Sequence, residues 1–361
     1  MSGLYSTSRK EGWRRYVDAP ARTRPDQLAP AQLAALGDAA REDYDEQRKD
    51  WHANFGTVRT PQLDAAHEEI ELIVDSNRQD PGEVRGAVAL DALAGLGKTT
   101  IVNTFARRYD RDQIRRHGAA TGAGHERIPV FRVGLTGNTN IATLNRRICE
   151  FYGHFAARRS RSNADLLGNY ALDCVLSCET RLGVIDDLHF IAPLRKDGLD
   201  VTNHLKYLSS EFPITLIYAG VRLSEKGFFS EGQSGAAAVH AQSGRRWTRL
   251  GVVPFEIGTS EGRRHWRSLL KATERRLVLA RAHPGMLVGL SDYVFERTTG
   301  HIASYFSLIN RGCSKAIRTG QEQLNRELLD RVRIDEAAER ARRELAAAFA
   351  AARLTSDPER S

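Results

Sequence analysis

A chain of 361 residues with 41% hydrophobic side chains is long enough to bury a sizeable core in one large domain or two modest ones. Its net charge of +8 is compatible with a polyanionic partner, although arginine-rich composition alone indicates nucleic acid only weakly. The sequence contains neither an apolar run of membrane-spanning length nor an apolar N-terminal signal segment, so we expect a cytoplasmic protein with no membrane partner.

The N-terminal segment, residues 1–55, is polar and carries aromatic side chains scattered among charged ones. We expect an extension there that consists of an arm and a helix, which begins near Pro30 and continues as a charged helical pattern from Asp38 to His52. Pro61 breaks this pattern. Apolar residues at helical spacing then predict a helix from Gln62 to Asn77.

The segment from Gly86 to Val102, GAVALDALAGLGKTTIV, combines a buried strand, a loop of small residues and the start of a helix. Its centre matches the phosphate-binding pattern GxxxxGK[ST], except that Ala92 replaces the first glycine. Lys98 would reach the β- and γ-phosphates of ATP, and the hydroxyl of Thr99 would bind Mg²⁺. The predicted cofactor-binding residues are Ala92, Ala94, Gly95, Leu96, Gly97, Lys98, Thr99 and Thr100.

Strands and helices alternate after this loop, which is typical of a parallel sheet. A helix over Thr100–Tyr109 is followed by a polar and mobile link over Arg111–Glu126 and by a strand over Ile128–Leu135. After a turn over Thr136–Thr139, the pattern predicts a helix from Ile141 to Phe151. Two further strands, over Leu182–Ile185 and Ile214–Gly220, have a helix through Asn203–Leu208 between them, and a fifth strand covers Gly251–Phe255.

Two aspartates follow the apolar strand Leu182–Ile185, in the pattern called Walker B. Asp186 would hold Mg²⁺ at the carboxyl end of the strand, and Asp187 would orient or deprotonate the attacking water. Because Asp187 is one bond shorter than the glutamate usual at this position, hydrolysis could be slow. After the next strand, either Arg222 or Ser224 could contact the γ-phosphate, and the sequence does not choose between them.

From Glu261 onwards the pattern is helical. We predict an ATPase core over residues 56–258, a small helical lid over 259–320 and a charged C-terminal helix or tail over 321–361, with its helix running from Gln321 to Leu354.

The phosphate loop, the Asp186-Asp187-x-His189 sequence, the strand ending Tyr218-Ala219-Gly220 and the pair Arg245-Arg246 together resemble AAA+ ATPases of the TniB/TnsC type. These are transposition helper proteins related to the phage Mu B protein and to IstB. The resemblance extends from about Asp38 to Leu329. It implies an α/β AAA+ P-loop NTPase fold, with a parallel five-stranded sheet flanked by helices and a small C-terminal helical lid.

The same resemblance implies that Arg245 or Arg246 is a catalytic arginine finger, reaching the γ-phosphate of a neighbouring subunit. It also implies ATP-dependent assembly into homo-oligomeric rings or filaments around duplex DNA, with sequence-tolerant contacts near the turn after the second strand. That turn carries no charge, whereas the family pattern leads us to expect a lysine there. The residues implied for DNA binding are Arg132, Thr136, Thr139, Arg146 and Arg147.

The function that we predict is an ATPase that oligomerises on DNA and regulates transposition by linking a target site to a transposase. ATP hydrolysis would drive disassembly. One alternative is a signalling or defence NTPase switch that acts through protein partners, and another is a monomeric small-molecule kinase. DNA binding that requires ATP and weakens with salt would favour the first function over the switch. Monomeric phosphoryl transfer that does not need Arg245 or Arg246 would support the kinase.

Overall fold

A computed structural model of the chain describes residues 4–80, 83, 85–137, 139–158, 163–191, 196–226, 228 and 247–344. The chain divides into two compact units. Unit 1 contains residues 1–20 and 62–253, and unit 2 contains residues 21–61 and 254–361. Within the described ranges, no helix combines the length and the apolar character that crossing a membrane requires.

Unit 1 is built on a five-stranded, all-parallel sheet. The strands are β1 (Ala87–Ala92), β2 (Val130–Gly134), β3 (Leu182–Asp186), β4 (Thr215–Gly220) and β5 (Trp247–Val252). Their order in the sheet is β2-β3-β4-β1-β5, so β4 separates β3 from β1. Strands β1, β3 and β4 are buried along their whole length, as expected for parallel strands covered by helices on both faces.

The helices follow in chain order. They are α1 (Lys10–Asp18), α2 (Pro30–Ala34), α3 (Asp38–Ala53), α4 (Pro61–Ser76), α5 (Lys98–His117), α6 (Ile141–Tyr152), α7 (Ala164–Ser177), α8 (Lys196–Glu211), α9 (Ser260–Glu274), α10 (Ser291–Thr298), α11 (Ile302–Arg318), α12 (Arg326–Asp330) and α13 (residues 336–344). Helices α1 and α4 to α8 belong to unit 1, and the others belong to unit 2.

The predicted N-terminal extension, residues 1–55, does not form one body in the structure. Helix α1 packs in unit 1, where the indole of the buried Trp13 donates to Asp110 Oδ2 of α5 at 2.9 Å. Helix α3 packs in unit 2, where Arg48 donates to both carboxylate oxygens of Glu322, at 2.6 and 3.0 Å. Two buried side chains therefore assign the two halves of this segment to different cores.

The structure corrects two predicted boundaries, the end of helix α5 and the position of strand β5. The polar link predicted from Arg111 continues helix α5 as far as His117. Strand β5 begins four residues earlier than predicted, because Trp247 is buried 4.5 Å from the ring of Tyr218 and pairs with Ala87. Phe255, predicted as the end of this strand, belongs to unit 2, where its N–H donates to Gly300 O at 3.0 Å.

The C-terminal helix predicted from Gln321 to Leu354 is interrupted in its described part. Helix α12 ends at Asp330, and residues 331–335 are not helical. The buried guanidinium of Arg297 donates to Leu329 O at 2.8 Å and to Val332 O at 2.7 Å. These carbonyls therefore turn towards an arginine instead of continuing a helix, and residues 345–361 lie outside the described part of the chain.

Gly183 in β3 gives a test of the packing of the sheet. A Cβ atom at this position would lie 2.5 Å from Phe131 Cζ and 2.7 Å from Leu216 Cδ2. We expect Gly183→Ala to lower the free energy of unfolding by about 1–3 kcal/mol, because the added methyl overpacks the core. Urea denaturation measures the change. Gly251→Ala in β5 is the matched control, since no atom lies within 4 Å of its added Cβ, and equal stabilities of the two variants would contradict this packing.

Candidate functional site

The loop between β1 and α5 has the backbone of an anion-binding site. Gly95 and Gly97 have φ angles of 78° and 83°, a conformation that glycine adopts without steric cost. Helix α5 begins at Lys98 with no side-chain cap, so the N–H groups of its first turn lack intrahelical partners. The side chains of Ala92 and Leu96 are buried, so the loop is anchored in the protein at both positions. A phosphate-sized anion fits the N-terminus of such a helix.

The remaining predicted loop residues lie around this helix start. Ala94 and Thr100 are exposed, and the ammonium of Lys98 folds back across the loop, donating to Leu93 O at 2.7 Å and Ala92 O at 3.0 Å. Burial lowers the pKa of Lys98, while the nearby Asp186 and Asp187 carboxylates oppose that shift. The ammonium is thus held beside the helix N-terminus, where an anion would give it a stronger partner than two carbonyls.

The two predicted metal ligands lie next to each other. Thr99 Oγ1 donates to Asp186 Oδ2 at 3.1 Å, which joins the first turn of α5 to the carboxyl end of β3. Asp186 is only 4% exposed. A hydroxyl and a carboxylate are hard oxygen donors of the kind that Mg²⁺ takes, so these two residues fit a magnesium ion.

Arg132, predicted to contact DNA, is placed by the structure at this same site. Its Nη2 atom lies 2.9 Å from Asp186 Oδ2 and its Nε donates to Asn103 Oδ1 at 2.9 Å, with 12% of the side chain exposed. The reason is the register of the sheet, which sets Arg132 opposite Val184, two residues before Asp186. The guanidinium neutralises the carboxylate and is not available on the surface.

Asp187 lies beside Asp186 with its backbone in the left-handed region, at φ 62°. Asp and Asn tolerate this conformation better than longer side chains do, which accounts for an aspartate at this position. Desolvation by partial burial raises the pKa of the Asp187 carboxyl, and the charge of Asp186 adds to the increase. About half of the side chain is exposed, at 49%, so the carboxylate can contact a water molecule.

A residue that we did not predict, Asp91 in β1, connects the loop strand to the segment after β4. Its carboxylate accepts from the backbone N–H groups of Leu223 at 2.7 Å and Ser224 at 3.1 Å, from Ser224 Oγ at 2.8 Å, and from Arg249 Nε at 3.1 Å. An aspartate inside the apolar run GAVALDALAG was the available signal. The hydroxyl of Ser224 therefore donates to Asp91, whereas the side chain of Arg222 is 57% exposed, with Glu225 at 3.7 Å.

The turn after β2, also predicted to contact DNA, is held largely by its own hydrogen bonds. Thr139 N–H donates to Thr136 O, and Thr136 N–H donates to Thr139 Oγ1, both at 2.9 Å. Arg147 donates to Gly134 O at 2.8 Å and to Thr136 Oγ1 at 3.3 Å. Arg146 is half-buried. Two of the three predicted arginines, Arg132 and Arg147, are thus bound within the protein.

The two arginines predicted as the arginine finger, Arg245 and Arg246, lie outside the described residues, as does Asn138 of the turn. The structure therefore brings together Lys98, Thr99, Asp186 and Asp187 at one edge of the sheet, and adds Arg132 to them. Their common location follows from the parallel sheet, whose strands all end at that edge.

Residues 82–226 match the AAA domain family. This range contains the loop between β1 and α5, both aspartates after β3, and strand β4. No match is found among curated proteins.

Solved structures that share the fold include the following three. The Aeropyrum pernix ORC1 protein, solved in complex with DNA, has a TM-score of 0.56 and 15% identity, over 82% of this chain and 69% of that one. The Aeropyrum pernix ORC2 protein, solved as ADPNP-ADP complexes, has a TM-score of 0.54 and 14% identity, over 76% and 69%. Cdc6p from Pyrobaculum aerophilum has a TM-score of 0.54 and 12% identity, over 76% and 67%. The alternating elements correctly predict the parallel sheet, and the α/β fold with five parallel strands and flanking helices agrees with the AAA+ fold that the resemblance implies.

Proposed function

We propose that this protein is an ATPase that binds ATP and Mg²⁺ at the loop between β1 and α5. The observation that carries the proposal is the 3.1 Å hydrogen bond between Thr99 Oγ1 and Asp186 Oδ2. It unites a phosphate loop and a metal-ligating carboxylate, two parts that phosphoryl transfer requires together. The uncapped start of α5 and the two glycines at positive φ add the phosphate cradle.

Each residue has a distinct role in this proposal. The first-turn amides of α5 and the ammonium of Lys98 bind the phosphates, and Arg132 would yield its contact with Asp186 to a bound metal ion. The Mg²⁺ ion, held by Thr99 and Asp186, would neutralise charge that develops on the phosphate oxygens. Asp187 accepts a proton from the attacking water. Arg222 is the exposed candidate for contact with the γ-phosphate, because the hydroxyl of Ser224 is bound to Asp91.

Replacing Asp187 with asparagine tests the catalytic assignment. Asn keeps the left-handed backbone and the size of the side chain but cannot accept the proton, so we expect ATP turnover to fall about 100-fold while ATP binding persists. Turnover of the wild type should decline on the acid side as Asp187 is protonated. Because its pKa is raised, this decline begins at a higher pH than for an ordinary Asp carboxyl. Phosphate release measured against pH gives both results.

Asp165→Asn in the first turn of α7 is a matched carboxylate-to-amide change away from the site, and it should leave turnover and the pH profile unchanged. An Asp187→Asn protein that hydrolyses ATP at the wild-type rate would show that another group activates the water.

We further propose that the ATP-bound protein assembles as a homo-oligomer on duplex DNA and acts in transposition, with a transposase as partner. Support comes from the TniB/TnsC resemblance, from the net charge of +8, and from the fold shared with an ORC1 protein solved in complex with DNA. In this proposal Arg245 or Arg246 reaches the nucleotide of the adjacent subunit, and hydrolysis releases the assembly.

Imaging by negative stain tests this part of the proposal. The protein is mixed with duplex DNA and with ATP, a non-hydrolysable analogue or ADP. Rings or filaments on DNA with either triphosphate, but not with ADP, are the expected result. Monomers that bind nucleotide and ignore DNA would contradict the DNA proposal and favour a nucleotide-dependent protein switch.

A further inference from the structure

Helix α9 in unit 2 carries a row of positive charges on its exposed surface. Arg263, Arg267, Lys271 and Arg275 follow one another at intervals of four residues, the last immediately after the helix, and all four are exposed. Side chains four residues apart on a helix are neighbours, about 5–6 Å apart at Cβ. The row, called here the α9 basic row, therefore spans about 18 Å along the helix.

The acidic side chains closest in sequence to the α9 basic row are engaged elsewhere. Glu261 lies near the side chains of Arg264 and His265, at 3.6 and 3.7 Å. Glu274 accepts from the N–H groups of Gly285 and Leu287, both at 2.7 Å. Within the described ranges, the four cations of the row have no ion-pair partner.

This arrangement is unfavourable for the helix itself. Like charges four residues apart destabilise a helix, and an ordinary solvated helix surface alternates charges of opposite sign. The packing of α9 does not require the row either, since its buried residues are others, including Trp266, Leu269 and Leu270. An external polyanion would turn the repulsion within the row into a favourable interaction.

A cleft continues the basic surface beyond the end of the helix. It has a volume of about 440 Å³, and its lining includes Lys271 and Arg275 of the row together with Arg24 and His283. Arg24 is fixed there by donation to Leu277 O at 2.8 Å. Glu274 also lines the cleft, but its two oxygens are bound to the backbone amides of the next loop.

We propose that the α9 basic row binds the phosphate backbone of duplex DNA. This inference rests on the proposed DNA-binding function and assigns it a surface. Phosphate contacts need regularly placed cations and no apolar centre, whereas a protein partner would require an apolar core to the interface. Ser268, the exposed residue between Arg267 and Lys271, is polar, so it adds no apolar surface to the row. In contrast, Arg132 and Arg147, which the resemblance implied for DNA binding, donate hydrogen bonds to Asp186 and to Gly134 O of the protein itself.

The test compares two charge-matched double variants of the full-length protein. Arg267→Gln/Lys271→Gln removes the centre of the row, and Arg333→Gln/Arg340→Gln removes two other exposed cations of unit 2. Binding of a labelled duplex in the presence of ATP is measured by fluorescence anisotropy from about 50 to 200 mM salt. Each lost phosphate contact reduces the steepness of log K against log salt by about 0.9. The slope of the row variant should therefore be about 1.8 less steep than that of the wild type.

Over this fourfold range of salt, the loss of affinity of the row variant should therefore be about tenfold smaller than that of the wild type. The control variant should keep the wild-type slope. A second row variant, Arg263→Gln/Arg275→Gln, should behave like the first. Equal thermal unfolding curves of all four proteins would establish that the folds are unchanged.

Three results would overturn the proposal. If both row variants keep the wild-type slope while the wild type binds duplex, DNA binding stands but the row does not carry it. If the wild type binds no duplex with any nucleotide, the DNA-binding function and the row fail together. If instead labelled polyglutamate binds the wild type and the row variants lose it, the row serves an acidic protein partner.

Discussion

Replacing Lys98 with alanine is expected to weaken ATP binding severely. The Lys98 ammonium lies at the start of α5, 2.7 Å and 3.0 Å from the carbonyls of Leu93 and Ala92, in a partly buried position. Hydrogen bonds to charged groups contribute about 1.5–3 kcal/mol each, so losing contacts to two phosphates costs about 3 kcal/mol or more. That energy corresponds to at least about a hundredfold loss of ATP affinity.

Isothermal titration calorimetry and thermal unfolding with and without ATP measure this effect. ATP at 100 times the wild-type Kd should stabilise the wild type by about 2.7 kcal/mol and the Lys98→Ala protein by about 0.4 kcal/mol or less. Lys49→Ala, which removes a surface lysine paired with Glu46 in α3, is the matched control and should respond like the wild type. Wild-type ATP affinity in Lys98→Ala would overturn the assignment of the phosphate loop.

Replacing Arg48 with methionine should give the largest loss of stability among the variants discussed. Arg48 is fully buried and Glu322 is 5% exposed, and their two hydrogen bonds join α3 to the segment after α11. Methionine fills much of the volume but leaves the Glu322 carboxylate buried without its partner. Removing one member of a buried ion pair costs about 3–5 kcal/mol, measurable by urea denaturation of the full chain.

Two further variants separate charge from packing. In the double variant Arg48→Met/Glu322→Gln, the neutral amide oxygen can still accept from Ala280 N–H, as the carboxylate does at 3.0 Å, so part of the stability should return. Arg41→Met removes a second, longer contact with Glu322, at 3.4 Å, from a side chain that is 30% exposed. It should cost about 1 kcal/mol or less. An unchanged urea midpoint for Arg48→Met would contradict the role of this pair.

The sequence was sufficient for features that depend on neighbouring residues. The strand, the two glycines and the Lys98-Thr99 pair of the phosphate loop lie within one short segment, so their pattern predicts both the backbone and the helix start. The position of Asp186 could be predicted for a similar reason, because a buried parallel strand ends there and parallel strands end at one edge of the sheet.

Features that depend on distant residues could not be predicted in this way. Arg132 contacts Asp186 only because β2 pairs with β3, and nothing in the sequence around Arg132 specifies that pairing. Likewise, Arg48 and Glu322 are 274 residues apart, so the packing of α3 in unit 2 has no local signal. The charged C-terminal segment has helical periodicity, but its break reflects the carbonyls that Arg297 binds.

Arg132 also bears on the charge balance of the site when it is empty. A carboxylate as buried as Asp186 is costly to keep charged unless a cation compensates it, and the guanidinium is a counter-ion built into the chain. The end of β3 therefore does not depend on a bound metal for its charge balance. A metal ion held by Thr99 and Asp186 would take over the charge-balancing role that Arg132 has here. A divalent ion would bring more charge to Asp186 than the guanidinium does, whereas a monovalent ion would only equal it.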